Sequence, residues 1–225
     1  MKRILFFSIL AALLCGCNSA NHEGQGSTTD TIGVDSVVNS VIAESEPSEP
    51  EPPFTSPDLK FHHAQGPVKQ IVEKWKRNDG TTGSVTYNFD RQGKWTPDQR
   101  ITLERNSKGQ IISMKEQYDD EYDIDFYEYK YNKDGYVCQS EYIYESEEET
   151  FKYTLNENGW PVSTKTAFID PTDDSTYGSG TQSYTYSDID EQGNWMKCQM
   201  KVKENDGENN YAYSVTTTRK ITYWE

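Results

Sequence analysis

One short pattern recurs five times along the chain and restricts its fold more than any other feature. Each copy consists of Asp or Asn, two further residues and then Gly. Asp or Asn at the first position accepts hydrogen bonds from the backbone of its own turn, and Gly at the fourth position adopts the left-handed conformation that completes a type I turn with a bulge. Such turns join adjacent antiparallel strands. The pattern therefore predicts five tight hairpins, with the turn glycines Gly93, Gly109, Gly135, Gly159 and Gly193.

The segments that flank these turns alternate between apolar and polar residues, as strands with one buried face do. In residues 196–203, Met, Cys, Met and Val alternate with Lys and Gln, and in residues 127–131 Tyr occupies every second position. The connections at the other ends of the hairpins are longer and strongly polar. We therefore predict an all-β fold, an antiparallel up-and-down meander of about 10–12 strands in an open or curled sheet. Any function carried by loops is expected on the long-loop edge.

The first residues have the composition of a targeting signal. A basic start precedes an apolar run over residues 4–14, which is too short to span a bilayer, and Leu-Cys-Gly-Cys follows. This ending resembles the lipobox of bacterial lipoproteins, which implies that residues 1–16 are a signal peptide and that Cys17 is the lipid attachment site. An ordinary secretory signal cut near Ala20 is the alternative. Asn18, rather than Asp, favours the outer membrane in the proteobacterial sorting pattern, and the side that the protein faces stays open.

The next segment, residues 17–57, is predicted to be an acidic tether rich in Ser, Glu and Pro. Residues 18–57 hold seven acids, no Lys or Arg, and five of the nine prolines. Such a composition stays extended and solvated, and it would hold the domain at residues 58–225 away from the lipid anchor. Five aliphatic residues between 34 and 42 recur at helical spacing. A disordered or transient helix is favoured there, and a helix that docks on the domain or on a partner is the alternative.

Composition excludes several classes of function. The chain has 225 residues, of which 33% are hydrophobic, and a net charge of −15. Nucleic acid and anionic membrane surfaces are bound through clustered Lys and Arg, so neither partner is expected, and the membrane is reached through the lipid alone. Aromatic residues make up 13% of the chain and include 16 Tyr, which predicts a core rich in tyrosine. Because the chain has only three His, most metalloenzyme mechanisms are hard to build, and no cofactor is expected.

Two groups of residues are candidates for metal binding. An acidic loop offers oxygen ligands of the kind that calcium prefers. It consists of Asp119, Asp120, Glu121, Asp123 and Asp125. The loop lacks the Gly and the distal Glu of an EF-hand, so a solvated loop that discourages association of sheet edges is favoured. His62 and His63 are adjacent on an extended segment, where their side chains would point in opposite directions, and no third ligand stands out. No metal site is therefore predicted.

Cys138 and Cys198 are the two cysteines of the predicted domain. Counted from the turn glycines, they lie three and five positions further on, and hence on the same face of their strands. In a plain meander four strand spacings, about 19 Å, separate them, which is beyond the reach of a disulfide. Buried free thiols are therefore favoured. A disulfide is the alternative, and it would require the sheet to curl shut like a barrel.

Trp95 and Trp195 are the candidate ligand-binding residues. Each lies two positions after its turn glycine, whereas the apolar residues of the alternating segment 196–202 lie at odd numbers of positions after Gly193. Both side chains are therefore expected to point away from the core face, where exposed rings can stack on a sugar or a peptide. The favoured alternative is that a broad sheet packs both of its faces, or that the rings cover neighbouring glycines.

Several units also carry a family resemblance. Tyr129-x-Tyr131-Asn132-x-x-Gly135, and Tyr184-x-Tyr186 followed by Asp190-x-x-Gly193-Asn194-Trp195, resemble the repeats of YD or RHS-like proteins. Gly66-Pro-Val-Lys-Gln-Ile, the Gly-Asn-Trp element and the closing Arg219-Lys-Ile-Thr-Tyr223 look like repeat lipoproteins of Bacteroides-type bacteria. The resemblance covers about residues 60–225. It implies a sheet-building role alone for the matching residues Tyr129, Tyr131, Gly135, Tyr184, Tyr186, Gly193 and Trp195.

These observations predict a non-catalytic lipoprotein of the cell envelope, either a structural module or one that presents an aromatic-rich sheet to a polysaccharide or an envelope protein. The alternative is a carboxylate-dependent hydrolase with its site on the long-loop edge, because two acids that flank a sugar suffice for glycoside hydrolysis. The sequence pattern singles out no pair of acids in an apolar setting. No catalytic residue is therefore assigned.

Overall fold

Eleven antiparallel strands form one sheet, preceded by a helix of five residues, in a computed structural model that describes residues 54–118, 124–144 and 147–225. Cys17, the tether up to residue 53, its aliphatic stripe, and Asp119, Asp120, Glu121 and Asp123 of the acidic loop lie outside the described residues. The elements are α1 Pro57–Phe61, β1 Val68–Arg77, β2 Thr82–Asn88, β3 Ile101–Arg105, β4 Ile111–Gln117, β5 Ile124–Tyr131, β6 Val137–Tyr144, β7 Glu147–Leu155, β8 Pro161–Asp170, β9 Ser175–Ile189, β10 Trp195–Asn205 and β11 Asn210–Tyr223.

The strand order is β2-β1-β11-β10-β9-β8-β7-β6-β5-β4-β3, with every neighbouring pair antiparallel. This arrangement confirms the predicted all-β up-and-down sheet and its strand number. The order differs from a plain meander, because β1 pairs with the last strand, β11, as well as with β2, and β2 does not pair with β3. Strands β2 and β3 are therefore the two edges of an open sheet, although they follow one another in sequence.

The five predicted turns form as their chemistry requires. In the last of them, Asp190 Oδ1 accepts hydrogen bonds from the backbone N–H groups of Gln192 (3.0 Å) and Asn194 (2.8 Å). Gly193 has a φ of +82°, in the left-handed region that favours glycine. The same two side-chain bonds recur in the other four turns. All five turns lie at one end of the sheet, which we call the tight-turn end.

The sheet curls around residues 54–66, which we call the cap segment. Within it, the ring of His62 lies 4.3 Å from that of Tyr87 on β2, and the ring of Phe61 lies 4.9 Å from that of Tyr129 on β5. In a flat sheet, strands β2 and β5 would be eight strand spacings apart, about 38 Å. Two adjacent side chains can touch both strands because the sheet bends round the cap segment.

The cap segment closes the tight-turn end. Its helix α1 begins at an N-cap serine, Ser56, whose Oγ accepts a bond from the Leu59 N–H, with Pro57 at the first helical position. Ser56 Oγ also donates to the Gly93 carbonyl (2.7 Å), and Lys60 Nζ donates to the Asp134 carbonyl (2.9 Å). Gln65 Nε2 donates to the Gln192 carbonyl (2.7 Å), so the segment is bonded to at least three of the five turns. Leu59 is completely buried in the core beneath it.

The expected outward direction of Trp95 and Trp195 is wrong, because both side chains are buried, at 2% and 5% exposure. After four of the five turn glycines the residues two and five positions further on are both buried, as Ile111 and Met114 are. An unbroken strand would bury every second residue. In β4, β6 and β8 the pairing skips the residue in between, which acts as a bulge and brings both flanking residues to the buried face. These skipped residues are Ile112, Cys138 and Val162. Trp195 on β10 has the same spacing without a register shift in its pairing with β9, and Trp95 lies outside the strands.

The two cysteines point in different directions, because Cys138 lies at the bulge of β6. Cys138 is the bulged residue of β6 and is partly exposed, whereas Cys198 on β10 points inward and is buried. Both are free thiols, and four strand spacings separate their strands. The favoured free thiols are confirmed, but the expectation that both are buried on one face is wrong.

We expect a maleimide to label Cys138 in the native protein at least about tenfold faster than Cys198. Burial raises the pKa of the Cys198 thiol to about 12, so little of the reactive thiolate forms there. Mass spectrometry of peptides after timed labelling without reductant measures both rates. Equal rates, or a peptide in which Cys138 and Cys198 are linked, would contradict this expectation.

Candidate functional site

The inward-facing residues at the long-loop end of the curled sheet form the candidate site, which we call the mouth. Because the cap segment occupies the tight-turn end, the mouth is the opposite end of the same concave surface. Its side chains are mainly tyrosines and carboxylates, contributed by the ends of β1, β4–β7 and β9–β11. They are Arg77, Glu116, Tyr118, Asp125, Tyr127, Tyr142, Glu149, Gln182, Glu204, Tyr211 and Tyr213.

Asp125 organises one side of the mouth. Its Oδ2 accepts hydrogen bonds from the hydroxyls of Tyr118 (3.0 Å) and Tyr127 (3.4 Å), and its Oδ1 accepts one from the hydroxyl of Tyr142 (2.9 Å). Asp125 itself is 4% exposed. Burial, followed by the charge of Asp125, raises the pKa of the Tyr127 and Tyr142 hydroxyls, so both remain donors at neutral pH. The carboxylate thereby fixes three rings in one orientation.

Glu116 lies beside Asp125, directly opposite it in the pairing of β4 with β5. It is 1% exposed, and the Tyr118 hydroxyl, which bonds Asp125, also interacts with its carboxyl group. Burial raises the pKa of Glu116 to about 7, and the neighbouring Asp125 charge acts in the same direction. Because like charges repel in a buried site, two adjacent carboxyl groups carry one negative charge between them more readily than one charge each.

We expect the contribution of Glu116 to the stability of the protein to fall as pH rises from 4.5 to about 7. A carboxyl with a folded pKa near 7 and a usual value of 4.5 holds its proton more tightly in the folded state. Between these two pH values the carboxyl group ionises in the unfolded chain but not in the folded protein, which stabilises the unfolded chain. The free energy of unfolding therefore decreases by on the order of 1–2 kcal/mol, after allowance for solvent screening. Above pH 7 the loss is complete.

Glu116→Gln removes this titration, so the difference in free energy of unfolding between variant and wild type should grow from about pH 4.5 to pH 7. Urea unfolding at a series of pH values measures it. Buried His62 and His63 have lowered pKa values, so they make the stability of both proteins fall toward acid pH. Their effect cancels in the difference between the variant and the wild type, which is why the difference is compared. A difference that is constant across the window would show that Glu116 does not titrate there.

The other side of the mouth has a second carboxylate and its own tyrosines. Glu204 on β10 is buried, and its Oε2 accepts a hydrogen bond from the hydroxyl of Tyr213 (3.3 Å). The guanidinium of Arg77 lies 3.9 Å from the centre of the Tyr213 ring. Burial raises the pKa of Glu204, as it does for Glu116. Burial is the main cause of the raised pKa of Tyr142 and of Tyr213, and the negative charge of Glu149 on β7 adds to both, so it acts on both sides of the mouth.

A buried ion pair lies between the mouth and the cap segment. Glu73 on β1 and Arg219 on β11 are directly opposite in register, and Arg219 Nη2 lies 2.6 Å from Glu73 Oε1. Arg219 also donates to the carbonyls of His62 (2.9 Å) and His63 (3.2 Å), and its guanidinium lies 3.5 Å from the centre of the Trp195 ring. This arginine therefore connects the cap segment to the centre of the sheet.

His62 and His63 are structural here rather than metal ligands. Both are buried, and burial, followed by the charge of Arg219, lowers their pKa, to about 3 for His63. The His62 ring packs among Tyr87, Phe89 and Trp95. Among residues 54–118, 124–144 and 147–225, no group of three or more His, Cys, Asp or Glu side chains has the arrangement of a metal site.

Trp195 lines an internal cavity of about 40 Å³ with His63, Glu73 and Arg219. Ligand pockets for small molecules are usually about 300–1,000 Å³, so a sugar does not fit there. Trp95 is enclosed by the cap segment, where Asp58 Oδ2 accepts its backbone N–H at 2.7 Å. Neither ring presents a face to the surface, and the structure places both in the core instead of the mouth.

The buried carboxylates Glu73, Glu116 and Glu204 were not identified from the sequence, although a signal for them exists. Each lies at a position where the alternation of its strand places apolar residues. Glu73 falls between Ile71 and Trp75 in a series of every second residue, and Glu204 continues the series Met200, Val202. A charged residue at such a position is buried together with its apolar neighbours. Of the acidic loop, Asp125 is the described member, and it bonds tyrosines.

No helix among the described residues has the length and apolar character needed to cross a membrane. No protein-family model and no curated protein matches the sequence. Two solved structures are similar to part of the chain, and both are porin-like proteins, from Bacteroides uniformis and Bacteroides vulgatus. Each is 13% identical, and the alignments cover 69% of this chain and 98% of the other, with TM-scores of 0.37 and 0.36.

Proposed function

We propose that the protein is a non-catalytic, lipid-anchored module of the cell envelope that binds a glycan at the mouth. The observation that supports this best is the set of tyrosines whose hydroxyls are bonded to the buried carboxylate of Asp125 or the half-buried one of Asp206. Tyr118 and Tyr127 are bonded to Asp125, and Tyr211 is bonded to Asp206 (3.1 Å), and all three rings are partly exposed. Oriented rings with hydroxyl groups at their edges suit sugars, which have apolar faces and polar rims.

The same geometry favours binding over hydrolysis. A glycosidase places two carboxyl groups on either side of the scissile bond, about 5–9.5 Å apart and open to the substrate. Glu116 and Asp125 are instead adjacent, 1% and 4% exposed, and three tyrosine hydroxyls occupy the Asp125 oxygens. These carboxylates are better suited to orienting rings than to reaching a sugar.

Glycan-array binding of the full chain, followed by titration of the best ligand, tests the proposal. Tyr127→Ala and Tyr211→Ala should each weaken binding by about tenfold or more, since a ring stacked on a ligand contributes on the order of 1–2 kcal/mol. Tyr136→Ala is the matched control, because that partly exposed ring lies at the tight-turn end against Gly159. Absence of binding above background, or equal binding by all three variants, would reject a glycan site at the mouth.

Lipid attachment at Cys17 is a separate part of the proposal. Cys17→Ala should abolish incorporation of a labelled fatty acid and release the protein from the membrane fraction, whereas Cys15→Ala should leave labelling unchanged. Labelling that persists in Cys17→Ala would refute the attachment site without affecting the glycan proposal. Fractionation of the labelled protein also tests the proposed outer-membrane location.

A further inference from the structure

The outward side of three neighbouring strands carries lysines without any carboxylate between them. Strands β1, β11 and β10 are adjacent in the sheet. Their outward-facing positions alternate with the buried core positions and include no Asp or Glu. We call this surface the lysine face, and its charged members are Lys74, Lys76, Lys197, Lys201, Lys203 and Lys220.

None of these six lysines forms an ion pair with a described residue at 4.0 Å or closer. Elsewhere on the outer surface the charges are mixed, as on β5 and β6, where Lys130 pairs with Glu141 at 2.7 Å. In a chain with a net charge of −15, an unpaired group of lysines on one surface is a marked separation of charge. Clustered charge of one sign attracts ligands of the other sign.

Hydroxyl groups fill the space between the lysines. Thr218 on β11 is paired with Lys74 on one side and with Lys197 on the other, so these two lysines lie about two strand spacings, or 10 Å, apart across the sheet. Lys201 and Lys203 follow one another along β10 at a spacing of about 7 Å. The face is thus a regular array of cations and hydroxyl groups.

Part of the lysine face is concave. A groove of about 1070 Å³ runs over β2, β1 and β11, and its lining includes Lys74, Lys76, Ser84, Ser214, Thr216 and Thr218. Where the groove reaches the turn between β1 and β2, Trp75, Arg77 and Asp79 also line it. The exposed large hydrophobic residues of the described chain, Phe54, Ile112, Val162 and Ile189, all lie on other segments. Trp75 lines the groove but is partly buried, so the lysine face has no large exposed apolar side chain to insert, and it is less suited to a lipid bilayer than to a hydrated polymer.

We infer that the lysine face binds a linear anionic polysaccharide whose carboxylate groups recur along the chain. Several lysines in a regular array can engage such a polymer at once, and the intervening Ser and Thr hydroxyls can bond its sugar hydroxyls. This site is separate from the mouth and opposite to it in charge. The protein would then hold two kinds of carbohydrate on the two sides of one sheet.

Polygalacturonate is the probe, with dextran as an uncharged polymer of similar size. The full chain should bind polygalacturonate but not dextran, and binding should weaken as salt rises from about 50 to about 300 mM, since salt screens exposed charges. Lys74→Gln/Lys197→Gln/Lys201→Gln should weaken binding by about tenfold or more, because each exposed charge contact contributes a few tenths to 1 kcal/mol.

The matched control is Lys108→Gln/Lys115→Gln/Lys133→Gln, which removes the same charge from exposed positions outside the lysine face. It should bind within about twofold of wild type by the same reasoning. Equal loss in both triple variants would show a net-charge effect and overturn the inference, as would binding to phosphatidylglycerol vesicles in place of polygalacturonate. Tyr127→Ala should leave polygalacturonate binding unchanged, so failure of the mouth proposal and failure of this one are distinguishable.

Discussion

Arg219→Met is expected to lower the free energy of unfolding by about 3–5 kcal/mol, since it leaves the carboxylate of Glu73 buried without its cation. The two side chains are only 4% and 3% exposed, so water cannot replace the lost partner. The substitution also removes the donors that serve the carbonyls of His62 and His63. Urea unfolding followed by tryptophan fluorescence measures the change, because Trp195 stacks on the guanidinium.

A double-mutant cycle with Glu73→Leu distinguishes the ion pair from simple loss of packing. Glu73→Leu/Arg219→Met should be no less stable than the worse single variant, because no unpaired charge then stays buried. Lys130→Met is the control for an exposed pair. Its side chain is 59% exposed, and the loss of its 2.7 Å contact with Glu141 should cost less than about 1 kcal/mol. Strictly additive effects of the two buried substitutions would show that Glu73 and Arg219 are not coupled.

The hairpin pattern was predictable from sequence because its determinants are local. Each turn depends on one Asp or Asn side chain and one left-handed glycine within five residues, as the bonds from Asp190 and the φ of Gly193 show. Strand alternation is also local, and together these signals sufficed for the fold class and the strand number. Pairing of β1 with β11 joins residues such as Trp75 and Thr217, far apart in sequence, and no local pattern specifies it.

The positions of Trp95 and Trp195 could not be read from alternation alone. In β4, β6 and β8 a bulge after the turn changes which face of the sheet the following residues occupy. The residues at the bulge, Ile112, Cys138 and Val162, do not have a distinctive chemistry by which the bulge could be recognised from sequence. Two of the five repeats contain the missing signal: apolar residues stand both two and five positions after the glycine, as Ile111 and Met114 and as Trp195 and Cys198 do. That spacing is compatible with one buried face only when a residue is skipped.

Net charge gave an incomplete account of the surface. The expectation that the protein lacks a basic face rested on the excess of acids over the whole chain, yet the lysines of β1, β10 and β11 share one side of the sheet. Carboxylates of the same strands, Glu73 and Glu204, point to the other side and are buried. Because successive side chains of a strand point to opposite faces of the sheet, the net charge of the whole chain does not show the charge of one face. The mouth could not be predicted either, because its tyrosines and acids come from strands that are distant in sequence.

The second large effect is expected for Asp58→Ala in the cap segment. Asp58 is 2% exposed, and its two oxygens accept hydrogen bonds from Arg105 Nη1 (2.5 Å) and Nη2 (2.8 Å) and from the Trp95 N–H (2.7 Å). These bonds connect helix α1 to edge strand β3 and to the segment after β2. Removal of the carboxylate leaves a buried N–H without an acceptor and a guanidinium without its partner, at a cost of about 2–4 kcal/mol.

The loss should be concentrated where the cap segment meets the two sheet edges. Hydrogen exchange in Asp58→Ala is expected to accelerate at residues 54–66 and at Trp95 more than in β9 and β10, whose backbone bonds do not depend on the cap segment. Asp98→Ala is the control, because its ion pair with Arg100 is half exposed. Uniform acceleration across all strands would mean that the cap segment unfolds only together with the sheet. Selective acceleration would instead show that the cap segment opens independently of the rest of the sheet.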